Sequence, residues 1–241
     1  MNPDTASPWQ AFWNDYLPHD PVTEEDMFKQ VAQTVNRKPI PRERFLRMCD
    51  RIGSQLELSR EDCLVEYCCG NGLASYELAP RVGRLIGIDF APRQIEAARR
   101  AKPRENITYL LGDATAPVPA WVGTSATPNK FLLNNSLAYF TPLQLESLVG
   151  GILNHLGGGR FSFLLSSIPN FGLKENFYNT PDRLARHLAN EALAPDTNDG
   201  LGRWWRTEEI EAACRKHGLN VRIENQPDAL SNYRMDALIV P

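Results

Sequence analysis

One stretch constrains the fold of this chain more than any other: Leu64-Val65-Glu66-Tyr67-Cys68-Cys69-Gly70-Asn71-Gly72-Leu73. Strand residues rise about 3.3 Å each, so five residues, 63–67, suffice to cross a small sheet. Gly70 and Gly72 then permit a sharp turn and a close approach of a ligand to the backbone. Leu73, Tyr76, Leu78 and Ala79 give the following segment an apolar face, as a helix requires. Such strand–turn–helix units hold ligands at the carboxyl ends of their strands. Two more apolar runs end on acids. Leu85-Ile86-Gly87-Ile88 closes on Asp89, and Ile107-Thr108-Tyr109-Leu110-Leu111-Gly112 closes on Asp113. Three strand-end acids suit a ligand with an amine, a ribose and a purine.

A dinucleotide fingerprint competes for the same residues. Gly70-Asn71-Gly72-Leu73-Ala74-Ser75 matches G-x-G-x-x-G only in part, with Ser75 at the third glycine, and a lone match of that kind is weak. Glu66 opposes it, because a carboxylate beside the turn repels a pyrophosphate and attracts an ammonium group. An NAD(P)-dependent oxidoreductase and a non-catalytic binding or scaffold protein remain the alternatives at this point.

Taken in order, these residues resemble the class I S-adenosylmethionine-dependent methyltransferases. That family's first motif has the form E/D-x-G-x-G-x-G. Glu66 stands at the acid and Gly70 and Gly72 at the last two glycines, while Cys68 replaces the first. Gly87-Ile88-Asp89-Phe90-Ala91-Pro92 resembles the second motif and Gly112-Asp113-Ala114 the third. The run 131–140, which contains Asn134, Ser136 and Tyr139, resembles the end of the family's fourth strand. Leu156-Gly157-Gly158-Gly159-Arg160 resembles the turn into the fifth, and Trp205-Arg206-Thr207-Glu208 the start of the last helix. The resemblance implies a Rossmann-like α/β fold: seven strands, mostly parallel, with helices on both faces and the last strand antiparallel. It implies S-adenosylmethionine as cofactor, held by Glu66, Cys68, Gly70, Gly72, Asp89, Phe90, Asp113, Ala114, Asn134 and Ser136. Asp89 would accept from the ribose hydroxyls and Asp113 from the adenine amine.

A chain of 241 residues is long enough for one decorated domain with a substantial core. Its net charge of -3 provides no global field for nucleic acid. The densest basic patch, Arg99-Arg100-Ala101-Lys102, falls at an expected helix end, where cations complement the dipole. Five cysteines without a C-x-x-C pair argue against zinc or a disulfide framework, so no metal is expected. Cys63, Cys68 and Cys69 read as small buried residues in a reducing compartment. No apolar run approaches the ~20 residues that span a bilayer. The protein is expected in the cytoplasm, as a monomer or homodimer.

Residues 1–57 read as an N-terminal helical cap and 58–241 as the methyltransferase core. Phe12, Trp13 and Tyr16 form an aromatic face on the first helix, with Phe28 on the next. Thr23 with Asp26, and Thr141 with Pro142 and Gln144, are capping signals. The periodicity predicts strands at 63–67, 84–88, 107–111, 130–135, 160–166, 219–225 and 233–240. Residues 115–129 read as a loop. Residues 168–203 form a long insertion before the last helix, and ligand-binding residues concentrate on such segments. With the N-terminal helices, it is expected to wall an acceptor site through Tyr16, Tyr139, Tyr178, Arg183 and Arg186.

Methyl transfer from a sulfonium needs alignment and dryness more than a conspicuous catalytic motif, and a base only when a hydroxyl is the acceptor. His187 is the candidate base and Tyr139 the candidate orienting group. Asn134-Asn135-Ser136-Leu137 lacks the D/N-P-P-Y/F pattern suited to planar amino groups. The run Gln30-Val31-Ala32-Gln33-Thr34-Val35-Asn36-Arg37-Lys38-Pro39-Ile40 resembles methyltransferases of glycan or secondary-metabolite assembly, and that resemblance implies O-methylation of a small molecule, a sugar or secondary-metabolite hydroxyl.

Overall fold

The computed structural model describes residues 9, 12–13, 23–35, 38–125, 127–156, 158–193 and 202–241. The chain forms two compact units, Met1–Leu132 and Leu133–Pro241.

In the first unit, α1 (Glu24–Gln30) starts on a reciprocal cap. The Thr23 hydroxyl accepts from the Asp26 amide at 3.1 Å, and the Asp26 carboxylate accepts the Thr23 amide at 3.0 Å. These bonds satisfy donors that the first turn leaves open. A short antiparallel ribbon follows, β1 (Thr34–Val35) with β2 (Lys38–Pro39), which the periodicity did not predict. Helix α2 (Arg42–Gln55) begins after Pro41 and buries Phe45, Met48, Cys49 and Ile52 along one face. Every residue of β3 (Cys63–Tyr67) is buried, as in a strand covered on both faces. The glycine turn leads into α3 (Leu73–Leu78), then β4 (Arg84–Asp89), α4 (Pro92–Ala101) and β5 (Ile107–Leu111). The parallel register sets Glu66 opposite Gly87 and Gly87 opposite Tyr109. Pro92 opens α4, and Arg99 near its end donates to the Tyr109 carbonyl at 2.7 Å, a bond beyond the expected dipole role. The expected loop at 115–129 is pinned to the core: Trp121 is buried and donates from Nε1 to the Tyr67 hydroxyl at 2.8 Å. Strand β6 (Lys130–Asn134) crosses the division between the units.

In the second unit, α5 (Pro142–Leu156) has the predicted cap, with Gln144 N donating to Thr141 Oγ1 at 3.2 Å and Thr141 N to Gln144 Oε1 at 2.8 Å. Then come β7 (Ser162–Pro169), α6 (Lys174–Phe177), α7 (Pro181–Leu193), α8 (Thr207–Arg215), β8 (Asn220–Asn225) and β9 (Arg234–Val240). The seven main strands lie in the order β5-β4-β3-β6-β7-β9-β8, mostly parallel, and β9 is antiparallel to both β7 and β8. All seven predicted strands are present. The fifth runs three residues further than predicted, to Pro169, because a bulge between Leu165 and Ile168 lets pairing with β9 resume at Met235. Among the described residues, no helix is long and apolar enough to cross a membrane.

Candidate functional site

The turn after β3 alternates into left-handed backbone at Cys68 (φ 55°), Gly70 (φ 55°) and Gly72 (φ 76°). These are the three positions of the glycine motif. A side chain there costs roughly 1–2 kcal/mol, and Cys68 carries that cost. Cys68 is also only half-buried, unlike Cys63 and Cys69, which corrects the expectation that all three are buried. The neighbourhood explains both glycines. A Cβ at Gly70 would lie 2.6 Å from Val31 Cγ1, and one at Gly72 would collide with the Tyr109 hydroxyl. Asp89 fastens the turn: its Oδ2 accepts from Gly70 N at 2.8 Å and its Oδ1 from Ala91 N at 2.9 Å, at the start of α4. Burial pushes its carboxyl up to about 6, against the amide bonds that lower it. A carboxylate offers about four lone-pair sites, so Asp89 keeps capacity for further hydroxyl donors.

Glu66 lies beneath the same turn, 2% exposed, and accepts the Ser75 hydroxyl from α3. Burial raises its carboxyl to about 7, the Ser75 bond opposing and the Asp89 charge adding to the rise. Tyr109 fills the space left by Gly87. A Cβ on Gly87 would stand 2.8 Å from Tyr109 Cδ1 and 3.0 Å from Cys69 Sγ. The Tyr109 hydroxyl donates to the Lys102 carbonyl at 3.1 Å. Sequence reading took Tyr109 only as a strand residue. The available signal was a glycine inside an apolar strand with an aromatic at the same level of the next.

The N-terminal segment also reaches the turn. Asn71 Nδ2 donates to Met27 O at 2.8 Å and to Gln30 Oε1 at 2.9 Å, and Gln94 Nε2 donates to Gln30 O at 3.2 Å. Asn71 Oδ1 and Gln94 Oε1 are buried with no hydrogen-bond partner among the described residues. None of these three amides was singled out from sequence. Phe28 is buried edge-on against Phe45, with ring centroids 5.2 Å apart. Phe90 is half-buried and Ala114 buried. Asp113 is exposed, and its Oδ1 accepts the Thr115 amide at 2.8 Å and hydroxyl at 2.7 Å.

In the second unit, Asn134 ends β6 buried, with its Oδ1 unpartnered among the described residues. Ser136 Oγ donates back to the Asn134 carbonyl at 2.9 Å. Asn135 is left-handed (φ 55°) and donates its amide to Ser166 O at 2.9 Å. Arg234 donates to both Asn135 Oδ1 and Ser167 O. The β7 bulge itself is held by fully buried Asp236, whose Oδ1 accepts from Ser166 Oγ (3.1 Å), Ser167 N (2.9 Å) and Gln226 Nε2 (2.8 Å). Tyr139 closes a 3₁₀ turn, Leu137–Tyr139, half-buried.

On the insertion, His187 stacks flat on Tyr178, with ring centroids 4.1 Å apart. Arg183 donates to Phe177 O at 3.2 Å and lies 4.7 Å over the Phe177 ring. His187 and Tyr178 thus meet face to face, and Arg183 lies over the neighbouring Phe177. Tyr16 and the side chain of Arg186 lie outside the described residues. No group of three His, Cys, Asp or Glu side chains among the described residues could hold a metal ion.

Comparison with known proteins bears on this geometry. Residues 64–159 match the family model described as a methyltransferase domain. The magnesium protoporphyrin IX methyltransferase of Synechocystis PCC 6803, solved with bound S-adenosylhomocysteine, shares the fold with a TM-score of 0.61 and 13% identity, covering 96% of this chain and 97% of that one. The plantazolicin methyltransferase BpumL, also solved with S-adenosylhomocysteine, gives 0.57 and 11%, covering 82% and 83%. A curated relative, an uncharacterized RNA methyltransferase of Listeria monocytogenes serotype 4b (strain F2365), is 29% identical over 91 residues, which are 36% of this chain and 20% of that protein. The chain therefore spans about a fifth of the length of that relative. Residues 64–159 thus match a methyltransferase domain, and the fold is the one shared with these S-adenosylhomocysteine-bound methyltransferases. Both neighbours hold S-adenosylhomocysteine, the demethylated form of S-adenosylmethionine, whereas the dinucleotide pattern at 70–75 is matched only in part.

Proposed function

We propose that this protein transfers the methyl group of S-adenosylmethionine to an oxygen of a small molecule, a sugar or secondary-metabolite hydroxyl. One observation carries the reading: left-handed backbone at 68, 70 and 72, fastened by a buried Asp89 with unused acceptor capacity. The orphaned Asn134 Oδ1, which needs a donor, also fits a ligand rich in N–H and O–H groups. Asp89 would take the ribose hydroxyls, Asp113 with Ala114 the adenine edge, and Glu66 the charge of the ammonium group. Cys68, Gly70, Gly72 and Phe90 would line the cofactor backbone, with Asn134 and Ser136 at the strand end. Residues 1–57 serve as a cap and 168–203 as the acceptor lid, with Tyr16, Tyr139, Tyr178, Arg183 and Arg186 toward the acceptor.

In this reaction the acceptor oxygen donates a lone pair to the methyl carbon as the carbon–sulfur bond breaks. The hydroxyl proton goes to a base, assigned here to His187, while Tyr139 orients the acceptor. Alignment alone can supply about 7–11 kcal/mol of the barrier. Deleting 172–200 should abolish turnover and spare affinity for S-adenosylhomocysteine. Retained turnover would remove the lid role. His187→Ala should lower kcat, and a rate unchanged across pH would remove the base role.

A second reading, methylation of RNA, is favoured by the naming of the Listeria relative. The net charge of -3 opposes it, since phosphate contacts supply most affinity for nucleic acid. Labelled S-adenosylmethionine with total RNA in one reaction and a metabolite extract in another separates the two. The thiols of Cys49, Cys63, Cys69 and Cys214, buried and unbridged, suit a reducing cytoplasm.

A further inference from the structure

We infer that Trp204, with the rings of Phe177 and Tyr233 beside it, forms a stacking subsite for a planar aromatic acceptor that carries a negative charge. This narrows the reading above and rests on it for the fate of the bound molecule.

The two adjacent tryptophans divide their work. Trp205 is 0% exposed, and its Nε1 donates to the Leu137 carbonyl at 3.0 Å, so it packs the core. Trp204 is half-buried among Phe177 (5.9 Å), Tyr178 (5.8 Å) and Tyr233 (6.0 Å). All three contacts are tilted, by 55°, 49° and 55°, so among the described residues no ring lies flat on the indole, whose Nε1 donates to the Tyr178 hydroxyl at 3.3 Å. Phe177 and Tyr233 are likewise half-buried and 5.0 Å apart. Planar ligands stack on aromatic faces because the ring quadrupoles favour offset contact.

Cations select the charge of the occupant. Arg183 lies 4.7 Å over Phe177, Arg234 5.3 Å over Tyr233 and Lys174 5.7 Å over Tyr178. Trp204 thus sits between three rings that each bear a cation. Of the acids on the same segment, Glu175 and Asp182 are exposed on α6 and α7, and the side chains of Glu191, Asp196 and Asp199 lie outside the described residues. Positive groups over the surrounding rings favour a carboxylate or phenolate on the rim of a flat ring over a cationic guest.

The subsite also stands at the end of the strands where such folds hold ligands. Trp205 N donates to Pro169 O at 2.9 Å and Asn170 N to Tyr233 O at 3.0 Å, which fixes both aromatic segments at the carboxyl end of β7. Arg234 carries the connection on to Asn135, beside the orphaned Asn134.

The test is calorimetric titration of the full chain, saturated with S-adenosylhomocysteine, with three probes: 2-naphthoate, its neutral amide 2-naphthamide, and non-planar cyclohexanecarboxylate. Naphthoate should bind at least about tenfold more tightly than either of the others. Trp204→Ala should weaken naphthoate about fivefold to tenfold and leave S-adenosylhomocysteine affinity unchanged. Trp204→Phe, which keeps a ring, should retain most of the binding. Arg183→Gln should reduce the preference for naphthoate over naphthamide. If Trp204→Ala does not melt cooperatively, Trp204→Leu, apolar but not planar, serves in its place. Equal binding of the three probes, wild-type naphthoate affinity in Trp204→Ala or Trp204→Leu, or no naphthoate binding to protein that takes S-adenosylhomocysteine would overturn the proposal. Naphthoate binding with this profile in a protein that ignores S-adenosylhomocysteine would support the subsite while removing the methyl-transfer reading.

Discussion

At the glycine turn, the groups that matter are buried and fastened to backbone; around Trp204, they are rings and cations left half-exposed. Glu66 and Asp89 are 2% and 8% exposed and hold a loop, whereas Phe177, Trp204 and Tyr233 hold mainly one another. On the proposed function, the difference follows from what each region must do. A site for one invariant cofactor gains from rigid backbone geometry, which allows few residue types at 68, 70 and 72. A site for an acceptor is free to be built from side chains, and side chains from distant segments can be exchanged without disturbing the fold.

Substitutions should expose that contrast. The largest effect is expected at Gly72→Val, where a β-branched residue must adopt a left-handed backbone and meet the Tyr109 hydroxyl. Thermal or denaturant unfolding should show a loss of about 3 kcal/mol or more. An unaltered melting curve would mean that the turn is not the rigid element described.

Next is the pH dependence of the ligand-free protein. The carboxyls of Glu66 and Asp89 titrate at about 7 and about 6, above ordinary values of 4.5 and 3.8. The folded state therefore binds these protons more tightly than the unfolded chain. Their stabilising contribution is complete below about pH 4 and is lost as pH rises through 6 and 7. Glu66→Gln should make the protein more stable than wild type at pH 8 by about 2–3 kcal/mol, with little difference at pH 4.5. A gap that is the same at both values would refute the burial of an ionisable Glu66.

A smaller change is expected at Cys68. Cys68→Gly should relieve the left-handed strain and raise stability by about 1 kcal/mol, while Cys68→Val should lower it. On the wall, Phe177→Leu should shift unfolding by only about 1–2 kcal/mol, because the ring is half-buried. A loss as large as that of Gly72→Val would make the wall a packing element and erase the contrast.

The same contrast explains what the sequence made legible. Apolar runs ending on Glu66-Tyr67, Asp89 and Leu111 gave strands, and Thr23/Asp26 and Thr141/Gln144 gave helix starts, because these signals are local. Cys68 was legible as a departure at a glycine position, although its backbone conformation was not. Tyr109 was missed because its partner, the gap at Gly87, becomes visible only once β4 and β5 are in register. The amides of Gln30, Asn71 and Gln94 meet across some forty to sixty positions of chain. The opposite fates of Trp204 and Trp205 depend on a bridge between Asn170 and Trp205. The β7 bulge rests on Asp236 and Gln226, two strands away in sequence. No periodicity encodes contacts of that kind.

The most direct test of the assignment is calorimetric titration of S-adenosylhomocysteine into wild type and Asp89→Asn at pH 8, with melting curves to confirm that both are folded. One-to-one binding to wild type, weakened about a hundredfold in the variant, is expected from the loss of a charged acceptor for the ribose hydroxyls. Equal affinity in the two proteins, or no binding to wild type, would contradict the placement of the methyl donor at this turn.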